Sequence, residues 1–260
     1  MTRFPRSERY HPDWLVASAS GGANSLWLTE WLCEALPLER GMNVLDLGCG
    51  RAASSIFLHR EFGVRVWAVD LWVDPGENLQ RIRDAGCDDA VFPLRADTHS
   101  LPFAPRFFDA IVCIDSIPYF GTDDFWLLSI ARLLQPRGAI AFAGTSLMQE
   151  LDGPPPEDLR EWWTPDLASL HSAAWWRAHW ERSTLVDVET ADAMPDGWQR
   201  WLEWHRLICP DNEVEIRAVE ADAGRYLGYA RAVARLREGV TPPEPIGSFP
   251  PSYTRAPLLR

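Results

Sequence analysis

The sequence predicts an α/β protein, a mostly parallel sheet with helices on both faces and a helical cap. Three observations carry this expectation. Residues 43–47 read as a buried strand, Gly48-Cys49-Gly50 breaks it sharply, and a one-sided helix pattern follows through Ala52, Ala53, Ile56, Phe57, His59 and Arg60. A second apolar stretch, residues 64–69, ends in Asp70, so strand, glycine turn, helix and strand make a first βαβ unit. Farther on, the apolar runs 107–115 and 133–142 read as two more buried strands, with a helix over 123–134 between them.

The first unit also carries the chemistry. Glycines in a strand-to-helix turn let a ligand approach the backbone more closely than any Cβ would allow. A carboxylate at the end of the next strand, here Asp70, can accept both hydroxyls of an adenosine ribose. The two features together predict a nucleoside cofactor lying across the strand ends. Gly48-Cys49-Gly50-Arg51-Ala52-Ala53 fits the dinucleotide pattern G-x-G-x-x-G/A literally. Asp46 separates the candidates, because a pyrophosphate would be repelled by an acid two positions before the first glycine. S-adenosylmethionine (SAM), with an ammonium beside a sulfonium, would be attracted by it.

At these residues the chain resembles the class I SAM-dependent methyltransferases, and the resemblance continues for a hundred residues. Ala96-Asp97-Thr98-His99-Ser100-Leu101-Pro102-Phe103 is similar to the family's third-strand motif. Residues 107–115 are similar to its fourth strand, and Leu133-Leu134-Gln135-Pro136-Arg137-Gly138 to the turn into its fifth. The resemblance implies a Rossmann-like sheet of seven strands, the last antiparallel, and is nearest to the small-molecule, quinone-biosynthesis or type 11 members. It implies SAM as cofactor, with Asp46, Gly48, Cys49 and Gly50 around the methionine part. Asp70 would meet the ribose and Asp97 the adenine, with Leu71, Thr98 and Ile114 further cofactor-binding residues.

The remaining segments are read in chain order. Residues 1–40 form a helical lid, whose helix over 26–36 follows Ser20-Gly21-Gly22-Ala23-Asn24. A glycine-flanked helix start suits a carboxylate, which makes Gly22 and Asn24 candidate contacts to the cofactor's methionine end. Residues 41–145 are the cofactor-binding core, and 146–170 a cap loop with a short helix over 157–163. Residues 171–192 return a core helix and the sixth strand. Residues 193–224 are a tryptophan-rich pair of cap helices, 225–238 the last strand, and 239–260 a proline-rich tail. Eleven of the fourteen tryptophans fall before residue 40 or after 160, so the acceptor pocket is expected to be aromatic.

Bulk properties narrow the function. The 260 residues carry a net charge of −12, and all 25 basic residues are arginine. An acidic chain without a basic stripe argues against nucleic-acid partners, and the absence of lysine excludes Schiff-base chemistry. No apolar run approaches a membrane span, and no secretory signal opens the chain. Cys33, Cys49, Cys87, Cys113 and Cys209 lack metal spacing, so no metal is expected, and free thiols suit a cytoplasmic, bacterial enzyme. The composition specifies no oligomeric state.

Methyl transfer from SAM requires a nucleophile held in line and, where it carries a proton, a base. Asp115 and Tyr119, just past strand four, and His11 in the N-terminal arm are the leading candidates; Tyr10, His171 and His205 follow. The expected reaction is transfer to N, O or C of a small molecule. Three alternatives remain open on sequence: a nucleic-acid base N-methyltransferase, since Ser116-Ile117-Pro118-Tyr119 resembles the Asn-Ile/Leu-Pro-Tyr/Phe motif of adenine-N6 enzymes, an NAD(P)-binding oxidoreductase, and a SAM-binding protein without catalysis.

Overall fold

The structure, a computed structural model, describes residues 3–243. The chain opens with α1 (Pro12–Ala17) and α2 (Ser25–Ala35) and then enters the sheet at β1 (Asn43–Leu47). Next come α3 (Ala53–Phe62), β2 (Arg65–Asp70), α4 (Pro75–Asp84), β3 (Val91–Arg95) and β4 (Phe108–Ile114). The second half runs α5 (Trp126–Ala131), β5 (Leu134–Leu147), α6 (Ala173–Arg182), β6 (Val186–Ala193), α7 (Gly197–Ile208), α8 (Glu213–Asp222) and β7 (Leu227–Leu236). The seven strands lie in the order β3-β2-β1-β4-β5-β7-β6, and β7 is antiparallel to both of its neighbours. The Rossmann-like sheet expected from the sequence is the one observed.

The local causes are visible residue by residue. β1 and β4 sit mid-sheet with helices on both faces, which is why they read as continuous apolar runs. Asn24, Asp74 and Ser172 cap α2, α4 and α6 by accepting hydrogen bonds from first-turn amides. One face of the sheet buries Trp31, Leu28 and Ile56. The other buries Trp126, Trp176, Trp180 and Phe142. Trp201 of α7 stacks on Tyr229 of β7 at 5.8 Å, fixing the inserted helix pair to the sheet.

Several predicted boundaries move. The helix expected over 123–134 is confined to α5, because the Asp123 carboxylate accepts the Phe125 amide and holds residues 123–125 in a turn. The Pro-Arg-Gly turn does not precede the fifth strand but lies within it. Leu134 already pairs with Phe108, and the register shifts before Ala139 meets Ala110. Pro136 lacks an amide donor and Arg137 has φ +61, which is what such a bulge needs. The helix expected over 157–163 shrinks to a single 3-10 turn, Glu157–Leu159. Most of the predicted tail, residues 244–260, and residues 1–2 of the lid lie outside the described residues.

Candidate cofactor and acceptor site

A cavity of about 730 Å³ opens at the carboxyl ends of β1, β2 and β4. Such an edge is where α/β sheets hold ligands. Its floor is the Gly48-Cys49-Gly50-Arg51 turn, its sides Asp70 to Val73 and Ala96 to His99, and its far wall Ile114 to Ser116 with Tyr119 and Phe120. Residues 18–23 and Trp204 of α7 close it from above. The sequence thus brings Gly22, Gly48, Cys49, Gly50, Asp70, Leu71, Asp97, Thr98, Ile114, Asp115 and Tyr119 around one space.

The turn is held by β2. The amides of Gly48 and Cys49 both donate to the Val69 carbonyl, at 2.8 and 3.0 Å, and that of Gly50 donates to Asp70 Oδ2 at 2.8 Å. The next amide, Arg51, donates to Ser20 Oγ at 3.0 Å. Four consecutive amides are therefore satisfied within the protein. A phosphate site needs such amides free, so this turn is unsuited to a pyrophosphate and compatible with a cationic methionine end. Gly50 has φ +53, and a Cβ there would overlap Ser20 Oγ. The close approach that requires glycine is thus made by the protein's own serine, with the lid seated on the turn.

Asp70 is 8% exposed, and its other oxygen accepts the amides of Trp72 and Val73 at 2.8 and 2.9 Å. An ionised carboxylate offers about four acceptor positions, so with three taken by amides about one remains for a ribose hydroxyl. Asp97 accepts the His99 amide at 2.8 Å, which holds its carboxyl below the usual range. Thr98 Oγ1 accepts from Trp126 Nε1 at 2.7 Å, anchoring this rim to α5. At the mouth, the exposed rings of Trp72 and Tyr119 meet edge-on with centroids 5.0 Å apart.

The geometry corrects six of the candidates named from the sequence: Tyr10, His171 and His205 lie outside the cavity lining, beside Glu61, Glu150 and Glu215, and so do Asp46, Asn24 and His11. Asp46 does not line the cavity; its fully buried carboxylate accepts the hydroxyls of Ser54 and Ser55, both at 2.6 Å, under the start of α3. Burial pushes its pKa up to about 6. Asn24 also stands back from the cavity, because its side-chain oxygen is committed to the amides of Leu26 and Trp27. His11 caps α1 on the surface, accepting from the Asp13 amide, and lies outside the lining.

The cap is likewise less aromatic inside than its composition implies. Among the described residues, none of the lining comes from 146–170, and Trp204 alone comes from 193–224. Other cap tryptophans are core: Trp201 lies on Tyr229 and donates to Glu215 Oε1 at 2.7 Å. The guanidiniums of Arg200 and Arg231 already lie over Trp27 and Trp31. Sequence reasoning passed over Trp72, Phe120, Ser20 and the Ser54-Ser55 pair. The serines carried a signal, two hydroxyls directly after a glycine turn and facing a buried acid.

Comparison with known proteins assigns the core. Residues 44–138 match the family described as a methyltransferase domain. Over these residues the chain is similar to methyltransferase domains. Among curated relatives of this methyltransferase domain is methyltransferase GfsG of Streptomyces halstedii, 33% identical over 126 residues, or 48% of this chain and 45% of that protein. Another is 27-O-demethylrifamycin SV methyltransferase of Amycolatopsis mediterranei, 30% identical over 133 residues, 51% of this chain and 49% of that one. The chain thus spans about half the length of the curated relatives it matches. Among solved structures, geranyl diphosphate C-methyltransferase of Streptomyces coelicolor, in complex with S-adenosyl-L-homocysteine, shares the fold. Its TM-score is 0.67 at 20% identity, over 80% of this chain and 79% of that one.

Proposed function

We propose that the chain is a SAM-dependent methyltransferase acting on a small-molecule acceptor at N, O or C by in-line displacement. The observation that carries this reading is the shared cavity: the amide-satisfied glycine turn, Asp70 at the end of β2 and the far end of β4 border one space. The cofactor supplies a methyl group already activated as an electrophile. The chain's part is to bind and orient it and to exclude water. Gly48, Cys49 and Gly50 would hold the methionine portion, Asp70 and Leu71 the ribose, and Asp97 and Thr98 the adenine side. Gly22 and Ile114 would close the ends, with Tyr119 and Trp72 at the acceptor mouth.

The relatives named above support a methyl-transferring core, and two of them are named for the small molecules 27-O-demethylrifamycin SV and geranyl diphosphate. The methyltransferase-domain match and the satisfied amides of the turn leave the NAD(P) alternative without support. The acidic balance of the chain continues to favour a small molecule over nucleic acid. A bacterial, cytoplasmic setting belongs to the same proposal, supported by five unpaired cysteines and by bacterial relatives. Among the described residues no helix is long and apolar enough to cross a membrane.

The test is calorimetry with SAM, S-adenosylhomocysteine and NADH, followed by a metabolite panel read by mass spectrometry for a gain of one methyl. Binding of the two SAM-type ligands but not NADH, with one methylated product, is expected. NADH binding without SAM binding would overturn the proposal.

A further inference from the structure

Asp115 holds an unusual position. It directly follows β4 with φ +53, a left-handed backbone that an aspartate adopts at a cost and that concentrates at functional places. Its Oδ2 accepts the amide of Ala23, in the lid, at 2.7 Å, and its Oδ1 accepts the amide of Thr145, in β5, at 2.8 Å. Space for it has been cleared from both sides. A Cβ on Gly22 would overlap Oδ2, and one on Gly144 would stand 3.0 Å from the Asp115 Cα. Both oxygens therefore join segments 92 and 30 residues away in sequence, across the wall of the cofactor cavity.

The lid has a second fastening at the glycine turn, where Ser20 Oγ accepts the Arg51 amide and Arg51 Nη1 donates to the Ala17 carbonyl at 3.2 Å. Between the two fastenings, residues 18–23 span the cavity and supply its roof. Ser18 and Ala23 are buried at the two ends of this segment and Ala19 packs against the Leu15 cluster, whereas Ser20, Gly21 and Gly22 between them are exposed and have little packing of their own, so the seating of this middle stretch rests on the polar contacts beside it.

We propose that Asp115 is a positioning residue: its carboxylate clasps the 18–23 segment to the end of β4 and so closes the cavity over the cofactor, and it does not take a proton from the acceptor. The proposal rests on the methyltransferase reading for the identity of the cofactor, but not for the clasp itself. An ionised carboxylate bonded to two amides is among the stronger single fastenings available to a loop. Asparagine can keep one of the two amides but presents its own N–H₂ to the other.

The experiment compares the unaltered chain with Asp115→Asn and Gly22→Ala, using S-adenosylhomocysteine as probe. Stopped-flow dissociation should be roughly ten- to a hundredfold faster in Asp115→Asn, the equivalent of one lost charge-assisted bond. Gly22→Ala should reproduce it by pushing the carboxylate aside. At saturating cofactor and acceptor, turnover in Asp115→Asn should fall by no more than the factor by which probe dissociation rises. Loss of turnover in Asp115→Asn alone, with probe dissociation unchanged, would make Asp115 the base and overturn the clasp.

Hydrogen exchange without probe provides the independent readout. The Ala23 amide should lose protection in both variants while β1 and β2 amides keep theirs. Retained protection at Ala23 would also overturn the proposal. Failure of the unaltered chain to bind the probe would instead sink the functional reading, and the exchange result would still decide the clasp. Should Asp115→Asn not fold, Gly22→Ala carries both measurements.

Discussion

Asp46 and Asp70 are two buried acids of the same βαβ unit with opposite situations. Asp70 is bonded by three amides of its own unit, and Asp46 by two serine hydroxyls with one oxygen left bare. Replacing Asp70 by alanine should weaken S-adenosylhomocysteine binding by roughly 1.5–3 kcal/mol for each charge-assisted bond lost. Titration calorimetry on the folded variant checks it, and unchanged affinity would remove Asp70 from the ribose site. For Asp46 the sign is different. Its pKa in the fold is raised to about 6 by burial, so the fold binds a proton that the unfolded chain releases near 4. Stability from this group is complete below about pH 4 and is lost as pH rises through 6. Asp46→Asn keeps an acceptor for both serines and removes that titration. Its stability relative to the parent should therefore rise by about 3 kcal/mol between pH 4 and 7. Urea unfolding of both proteins across that range measures it, and a constant difference would contradict the buried charge.

At the scale of the element, the α7–α8 insertion is where composition and placement part company. Trp201 and Trp204 both lie on α7 and both are buried, at 4% and 2% exposure. Trp201 is wedged between Tyr229, Trp162 and Glu215, and Trp204 lines the cavity beside Leu15 and Ala53. Trp201→Ala should lower stability by about 3–5 kcal/mol, the usual cost of a large cavity, without a specific change in acceptor KM. Trp204→Ala should destabilise as well but also raise acceptor KM several-fold, while cofactor affinity stays within about twofold. Steady-state kinetics on both variants, below their melting temperatures, separates the two. Equal effects on acceptor KM would place the acceptor elsewhere.

For the whole molecule, the net charge of −12 surrounds a cavity whose lining includes Asp70, Asp97 and Asp115. Such a field favours a cationic acceptor and disfavours a phosphorylated one. The cap does not add a cation cage, since most of its rings are engaged within the protein. An amine acceptor is therefore expected to outperform a matched phosphate, with an advantage that shrinks as salt rises. A matched phenol should fall between them. Competition assays with the three acceptors at neutral pH, at low and at physiological ionic strength, give the order directly. Preference for the phosphate would refute the electrostatic argument.

The sequence by itself determined the sheet and which strand ends and turn border its cavity. Continuous apolar strands, a glycine turn and an acid at the next strand end are local features, and local propensity and burial period read them without knowledge of neighbours. Gly48, Gly50, Asp70 and Asp97 accordingly line one cavity at the strand ends. The tertiary structure alone decided which polar groups face the ligand and which serve the fold. Asp46, Asn24 and His11 have the right chemistry, but each is committed to a helix start that the one-dimensional pattern does not reveal. Asp115 acquired its role from residues 92 positions before it and 30 after it. The same holds for the tryptophans, whose number is fixed by sequence and whose facing is fixed by packing. A side chain's partners are set by contacts distant along the chain, and a hydrogen bond already made to the backbone is one the ligand does not receive.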